Sequence, residues 1–175
     1  MSVIETERLT LRPLREGDAD DISRMHSDPE VVAFIPEGAM TPEEARRKIA
    51  LHIVEHWGKF GYGMYSAFLK ESGRMIGRCG FLHQDLEGEE LCEVAYLIAR
   101  DHWGRGFATE AAQALVQHGF EVMGEDLLVS LINRENQRSV RVAIKAGMKL
   151  LKEFPCMYKY GIYRVPGRAT GHTSD

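Results

Sequence analysis

The sequence predicts one α/β (α+β) domain built on a mixed β-sheet, on three observations. Apolar residues repeat at helical spacing early and late in the chain, and strand-like runs fill the middle. A glycine-broken turn joins one strand directly to a helix. The 175 residues, 44% hydrophobic and 27% charged, suit a single domain with a full core. No linker, repeat or low-complexity segment divides them. The domain is expected to cover residues 1–165, with 166–175, rich in Gly, Thr and Ser, as a flexible C-terminal tail.

Leu9 to Leu14 alternates as a strand and is closed by Pro13. A helix follows from about Asp18 to Met25. Thr41-Pro42-Glu43-Glu44 is a helix start with Thr as N-cap, Pro in the first turn and Glu three residues after the cap. Ala45, Ile49, Ile53 and Trp57 then form one apolar stripe, ending at Gly58 or Gly61. Met64 to Leu69, Arg74 to Leu82 and Leu91 to Ile98 read as strands. The short links Glu71-Ser72-Gly73 and Leu86-Glu87-Gly88 favour an antiparallel meander. A helix is expected over Ala108 to Met123, a strand over Leu127 to Ile132, and a helix from about Gln137 to Ala146 that Gly147 ends in a left-handed conformation. Segments near Met148 to Phe154 and Ile162 to Val165 complete the sheet.

Charge and composition exclude several classes. With 22 Lys+Arg against 26 Asp+Glu, the net charge of −4 argues against a nucleic-acid partner held by phosphate contacts. Cys79, Cys92 and Cys156 read as free thiols in a reducing compartment. No stretch has the length of a membrane span and the N-terminus has no signal-peptide pattern, so no membrane partner and a cytoplasmic location are expected. His26, His52, His56, His102 and His118 make no ligand set, and no metal is expected.

The segment from Leu91 to Ala112 says most about function. A strand, the turn Gly104-Arg105-Gly106 and a helix N-terminus together form an anion site, because the first helical amides have no partner and the helix dipole is positive there. The turn lacks the Lys-Ser/Thr of a P-loop, which disfavours a nucleotide triphosphate. The dinucleotide fingerprint also fits poorly: Thr109 stands where a small residue is needed, and Glu125 and Asp126 precede a strand instead of ending one. Taken alone, the glycines also suit an ordinary tight turn.

The segment Trp103-Gly-Arg-Gly-Phe-Ala-Thr-Glu-Ala111 resembles the pyrophosphate-binding motif of the GNAT superfamily of acyl-CoA-dependent N-acyltransferases. The resemblance is narrower toward the branch that includes the ribosomal-protein N-terminal (alanine) acetyltransferases. Further matches follow in order: Thr6-Glu-Arg-Leu-Thr-Leu-Arg-Pro-Leu14, Glu16-Gly-Asp-Ala-Asp20, Ile76-Gly-Arg-Cys-Gly80, Glu93-Val-Ala-Tyr96, Asn136-Gln-Arg-Ser139 and Ala146-Gly-Met148. They span about Thr6 to Val165. Trp103 departs from the Gln or Arg usual in the superfamily and is familiar in this branch. The resemblance implies the GNAT fold, a mixed sheet flanked by helices, with acetyl-CoA at the strand–turn–helix junction. It implies pantetheine along Tyr96, Leu97 and Ile98, pyrophosphate on the N–H groups of Gly104, Arg105, Gly106, Phe107, Ala108 and Thr109, and Trp103 among the coenzyme-binding residues. It further implies that Asn136 contacts the coenzyme arm, and that Ser139 lies near the sulfur and protonates the leaving thiolate. The local reading of Asn136 is a helix N-cap, compatible with that role.

Acyl transfer to an amine needs a proton acceptor, a donor toward the thioester carbonyl and a proton for the thiolate. Glu93, set among Leu91, Ala95 and Leu97, reads as a desolvated carboxylate suited to be the base, or as a salt-bridged strand residue. His83 is a second candidate base by its intrinsic pKa, and Tyr158 a candidate donor. The acceptor pocket is expected between the early helices and the sheet end, near Phe34 and Ile35, Phe60 to Gly63 and His83 to Asp85; Phe34, Trp57 and Tyr62 read as core rather than pocket. The expected activity is direct acetyl transfer from acetyl-CoA to a primary amine, first of all a protein N-terminus. The alternatives are a small amine as acceptor or a non-catalytic acyl-CoA sensor. A homodimer is compatible with the sequence.

Overall fold

The computed structural model describes residues 2–164, so the expected tail at 166–175 lies outside the described residues. Eight strands form one sheet in the order β1-β2-β3-β4-β5-β6-β8-β7: β1 Ile4–Glu5, β2 Leu9–Pro13, β3 Met64–Leu69, β4 Met75–Leu86, β5 Glu89–Ile98, β6 Leu127–Asn133, β7 Lys149–Glu153 and β8 Met157–Tyr163. Neighbours are antiparallel except β5 and β6, which run parallel. The meander is as expected, and a two-residue turn closes its last hairpin, with Glu87 (φ 57°) and Gly88 (φ 81°) both left-handed. The sequence pattern understates two strands. β4 runs on to Leu86, and β8 begins at Met157 and lies between β6 and β7.

The helices are α1 Ala19–His26, α2 Pro42–His52, the single turn α3 Gly58–Phe60, α4 Phe107–His118 and α5 Gln137–Lys145. α2 starts on the capping box read from the sequence, with the Thr41 side chain accepting from the Glu44 amide at 3.2 Å and the Glu44 carboxylate accepting from the Thr41 amide at 2.8 Å. A π-helical turn, Ile53–Trp57, carries it into α3, and Gly61 (φ 77°) ends the run. A second π turn, Gly119–Met123, extends α4. Gly147 has φ 92°, as its place after α5 requires.

Strand alternation divides the core between the two faces. Leu9, Leu11, Cys79, Phe81, Cys92 and Val94 pack with Phe107, Ala111 and Leu115 of α4 and with Val140 and Ala143 of α5. Met64, Met75 and Leu97 pack with Ile22 and Met25 of α1 and with Ala45 and Ile49 of α2. Cys79 and Cys92 are buried free thiols. Among the described residues no helix is long and apolar enough to cross a membrane.

Two polar clasps join the N-terminal strands to these layers. Glu110 on α4 accepts from the Thr6 hydroxyl at 2.5 Å and the Arg8 amide and Nε at 2.7 Å each, while Arg8 Nη1 donates to the Arg105 carbonyl at 3.0 Å. Asp18, at the start of α1, takes both Arg12 terminal nitrogens (2.6 and 2.9 Å), the Ser66 hydroxyl (2.6 Å) and the Arg15 amide (3.0 Å). Burial by itself would raise the Asp18 carboxyl; the Arg12, Ser66 and Arg15 bonds outweigh it and hold the group below its ordinary value. The Asp18 contribution is therefore complete above the unfolded-state pKa and is lost as pH falls through the lower folded one. Asp18→Ala is expected to cost about 3 kcal/mol in urea unfolding at neutral pH. The gap to the wild type should close as both are acidified below about pH 3.9, the ordinary Asp value. A gap of the same size at low pH would assign the loss to packing.

Candidate active site

The site begins where two strands part. β5 and β6 pair at Cys92–Leu128 and Glu93–Val129, and beyond these pairs no ladder joins them. Side chains bridge the opening instead. The Ser130 hydroxyl donates to the Val94 carbonyl at 2.6 Å, and the Leu131 amide donates to Glu93 Oε1 at 3.2 Å. Gln84 on β4 donates to Glu93 Oε2 at 2.6 Å. Glu93 is 8% exposed, and burial pushes its carboxyl above the usual range while the Gln84 and Leu131 donors pull it partly back.

One side of the opening leads to a cleft of about 340 Å³. Tyr96, Leu97, Ile98, Trp103, Gly104, Gly106, Phe107, Ala108, Thr109, Asn136 and Ser139 all line it. Arg105, expected with them, does not: its guanidinium lies 3.4 Å from His102 Nδ1 and 5.0 Å from the Phe107 ring centre. Gly104 (φ 73°) and Gly106 (φ 86°) give the turn its left-handed steps, and a Cβ at Gly104 would meet nothing. Gly106 is the N-cap of α4 without a capping side chain. The first amide paired across the turn is that of Glu110, to the Gly106 carbonyl at 3.0 Å, so the amides of 104–109 have no backbone acceptor among the described residues, and all of those residues except Arg105 line the cleft. Trp103 fixes the approach: its indole N–H donates to the Ile98 carbonyl at 2.7 Å, and the Arg138 guanidinium covers its ring at 4.2 Å. Arg138, Arg141 and Lys145 line the opposite wall from α5. A cleft with orphan amides on one wall and three cations on the other fits a polyphosphate coenzyme. The three cations, at helical spacing on one face, are a signal the sequence reading did not use.

The other side opens into a cavity of about 520 Å³ between α1, α2, the 34–37 segment and the sheet. Its polar lining includes Glu37, Lys48, His52, His56, Arg78, Gln84 and Glu93. His52 Nε2 accepts from the Met64 amide at 2.8 Å, and burial drives its pKa down to about 4, so the ring is neutral. It stacks on His56 at 4.2 Å. Among the described residues no group of three or more His, Cys, Asp or Glu is placed to hold a metal ion.

Several candidates fall elsewhere. His83 pairs with Cys92 across the sheet and Leu82 with Glu93, so His83 and Glu93 face opposite ways. His83 stacks on Phe60 at 4.1 Å and lines neither cavity, which removes it from reach of the junction. Tyr158 lies against Arg134 and also lines neither. Phe60 to Gly63 and Asp85, expected at the acceptor pocket, are likewise absent from the lining of the larger cavity. Phe34, expected in the core, is 38% exposed and lines both cavities.

The two cavities share Phe34, Ile35, Tyr96, Leu97, Asn136 and Ser139. At this junction Ser139 is held by both backbone groups: its amide donates to Asn136 Oδ1 at 3.1 Å, and its carbonyl accepts from the Tyr96 hydroxyl at 3.0 Å. Asn136 is thus the N-cap of α5. Burial keeps the Tyr96 hydroxyl protonated well above neutral pH.

Comparison with known proteins agrees with this architecture. The acetyltransferase (GNAT) domain family matches residues 8–149. The uncharacterized N-acetyltransferase p20 of Bacillus licheniformis is 33% identical over 142 residues, covering 81% of this chain and 79% of its own. The crystal structure of an acetyltransferase from Agrobacterium tumefaciens superposes with a TM-score of 0.79 at 30% identity, over 94% of this chain and 95% of that one. A ribosomal-protein-S5-alanine acetyltransferase from Vibrio fischeri, 14% identical, has the same fold at a TM-score of 0.77, covering 93% and 97%. With its parted strands, its glycine turn and a family match over most of its length, this chain belongs to the GNAT acetyltransferases.

Proposed function

We propose that this chain transfers an acetyl group from acetyl-CoA to a primary amine by direct transfer, with a protein N-terminus as the leading acceptor class. The observation that carries the reading is the meeting of two cavities at one short seam, with a cationic, amide-lined cleft on one side and a mixed cavity on the other. Acetyl-CoA supplies the activated acyl group. The amides of 104–109 with Arg138, Arg141 and Lys145 would hold its phosphates, and the end of β5 would guide its arm to the seam.

At the seam, this chain's groups manage protons. Glu93 takes the proton that the amine gives up as the C–N bond forms. The Ser139 hydroxyl returns a proton to the departing thiolate as the C–S bond breaks, and both groups re-equilibrate with solvent. A protein N-terminus is favoured over a polycationic small amine by the lining of the acceptor side, where Arg78 and Lys48 balance Glu37 and Glu93 instead of forming an anionic pocket. The fold shared with the Vibrio fischeri enzyme is compatible with that choice.

Three outcomes test the reading. Acetyl-CoA and CoA, but not ATP or NAD, are expected to raise the melting temperature; at 100 times Kd the stabilisation is ~2.7 kcal/mol. No shift with either thiol ligand removes the donor assignment. Ser139→Ala should lower turnover by about 10²-fold with the acetyl-CoA melting shift intact; an unchanged rate would take Ser139 out of the chemistry. Glu93 must be ionised to accept a proton, and its pKa is raised, so kcat should climb with pH through an ionisation above the ordinary carboxyl range. Glu93→Gln should flatten that limb. An identical limb in the variant assigns the ionisation to another group.

A further inference from the structure

Arg78 sits on β4 directly across from Leu97, one of the seam residues, and lines the acceptor-side cavity. Its Nε is buried without a hydrogen-bond partner, and among the described residues no hydrogen bond or ion pair engages its guanidinium. A guanidinium nitrogen withdrawn from water with no acceptor is costly, and the planar fork of donors on this half-buried side chain matches a carboxylate on two bonds at once. No carboxylate in the cavity makes an ion pair with it among the described residues, and Glu37 acts on it only through its charge at longer range. Glu93 already accepts from Gln84 and the Leu131 amide, and Glu37 lies exposed on the rim without an ion pair to it. Lys48, also in this lining, is a second cation with no ion pair among the described residues, and His52 spends Nε2 on the Met64 amide.

The geometry points to an acceptor that carries a carboxylate close to its reacting amine, with Arg78 receiving the carboxylate while the amine lies at the seam beside Tyr96 and Ser139. Arg78 and Leu97 are cross-strand neighbours that line the same cavity, so anchor and seam lie on one wall of it. The chemistry is common to two sources, a free amino acid and a peptide whose first residue is Asp or Glu. Arg78 is then a specificity residue of the transferase, and this inference rests on the activity proposed above.

The test compares CoA release with paired acceptors: glycine against glycinamide, and two peptides alike except for Asp or Asn at the first position. The carboxylate member of at least one pair should be favoured by about 10- to 100-fold in kcat/KM, the worth of one charged hydrogen-bonded contact. The pair that shows the preference identifies the source. Arg78→Gln should bring the ratio close to one, and Arg78→Lys should keep part of it, with the acetyl-CoA melting shift in both variants reporting the fold. Turnover without a carboxylate preference, or a preference that survives Arg78→Gln, overturns the inference and leaves the transferase standing. If no acceptor turns over, a melting shift of the CoA-loaded protein by the carboxylate members alone keeps the Arg78 site and removes the transferase reading. Neither turnover nor shift removes both.

Discussion

The site depends on one interruption in the sheet. β5 and β6 share two register pairs and then separate, whereas the strands on either side of them, β4 with β5 and β6 with β8, pair along ten and seven residues. An unpaired ladder inside a protein leaves backbone donors and acceptors that must be satisfied some other way. Here Glu93 and Ser130 take up the Leu131 amide and the Val94 carbonyl, so the opening is held by side chains. Closing it would merge the sheet and abolish the seam, because both cavities are bounded by the freed strand ends. The residue proposed as the base is therefore also a structural part of the opening, and its raised pKa follows from standing there.

Electrostatics differ across the opening for reasons that lie in the local fold. In the smaller cleft, positive charge comes from the N-terminus of α4 and from one face of α5, where solvent lowers its cost. The larger cavity carries both signs of charge, Lys48 and Glu37 exposed and Glu93 buried, together with a neutral His52–His56 stack. The N-terminal segment serves both sides. Thr6 and Arg8 hold α4 through Glu110, while Arg12 and Ser66 hold the start of α1 through Asp18. That division of labour explains why the segment from Thr6 to Leu14 carries so much of the family resemblance though it lines little of either cavity.

Much of this was legible in the sequence where the causes are local. The capping box at Thr41 and Glu44, the glycine turn into α4, the Asn136 cap and the left-handed Gly147 each follow from a few adjacent residues. So does the placement of Glu93 on the face opposite Cys92 and Val94. What escaped reading depends on register or on distant partners. Alternation assigns His83 to one of two faces but does not say which; the pairing of His83 with Cys92 settles it. The π turns at Ile53–Trp57 and Gly119–Met123 add a residue to a helical turn without a pattern of their own. The opening between β5 and β6 and the buried Arg78 Nε, which has no hydrogen-bond partner among the described residues, are properties of pairs that do not form, which periodicity cannot register. Phe34, apolar and expected in the core, is drawn to the seam because the segment carrying it crosses both cavities.

The position of β8 bears on how the molecule is made. Met157–Tyr163 pairs with β6 along its whole length, from Leu127–Tyr163 to Asn133–Met157, and β7 joins the sheet through β8. A ribosome delivers β6 and α5 well before β8, at about 5–20 residues per second, and during that interval β6 has only its short contact with β5. The far wall of the opening is thus braced by a strand that is synthesised late. A nascent chain can assemble the meander and the glycine turn, but it cannot set both walls of the seam. Catalytic competence arrives with the last turn of assembly, and proteolytic loss of β8 would unseat β7 and loosen β6 while sparing the amino-terminal half.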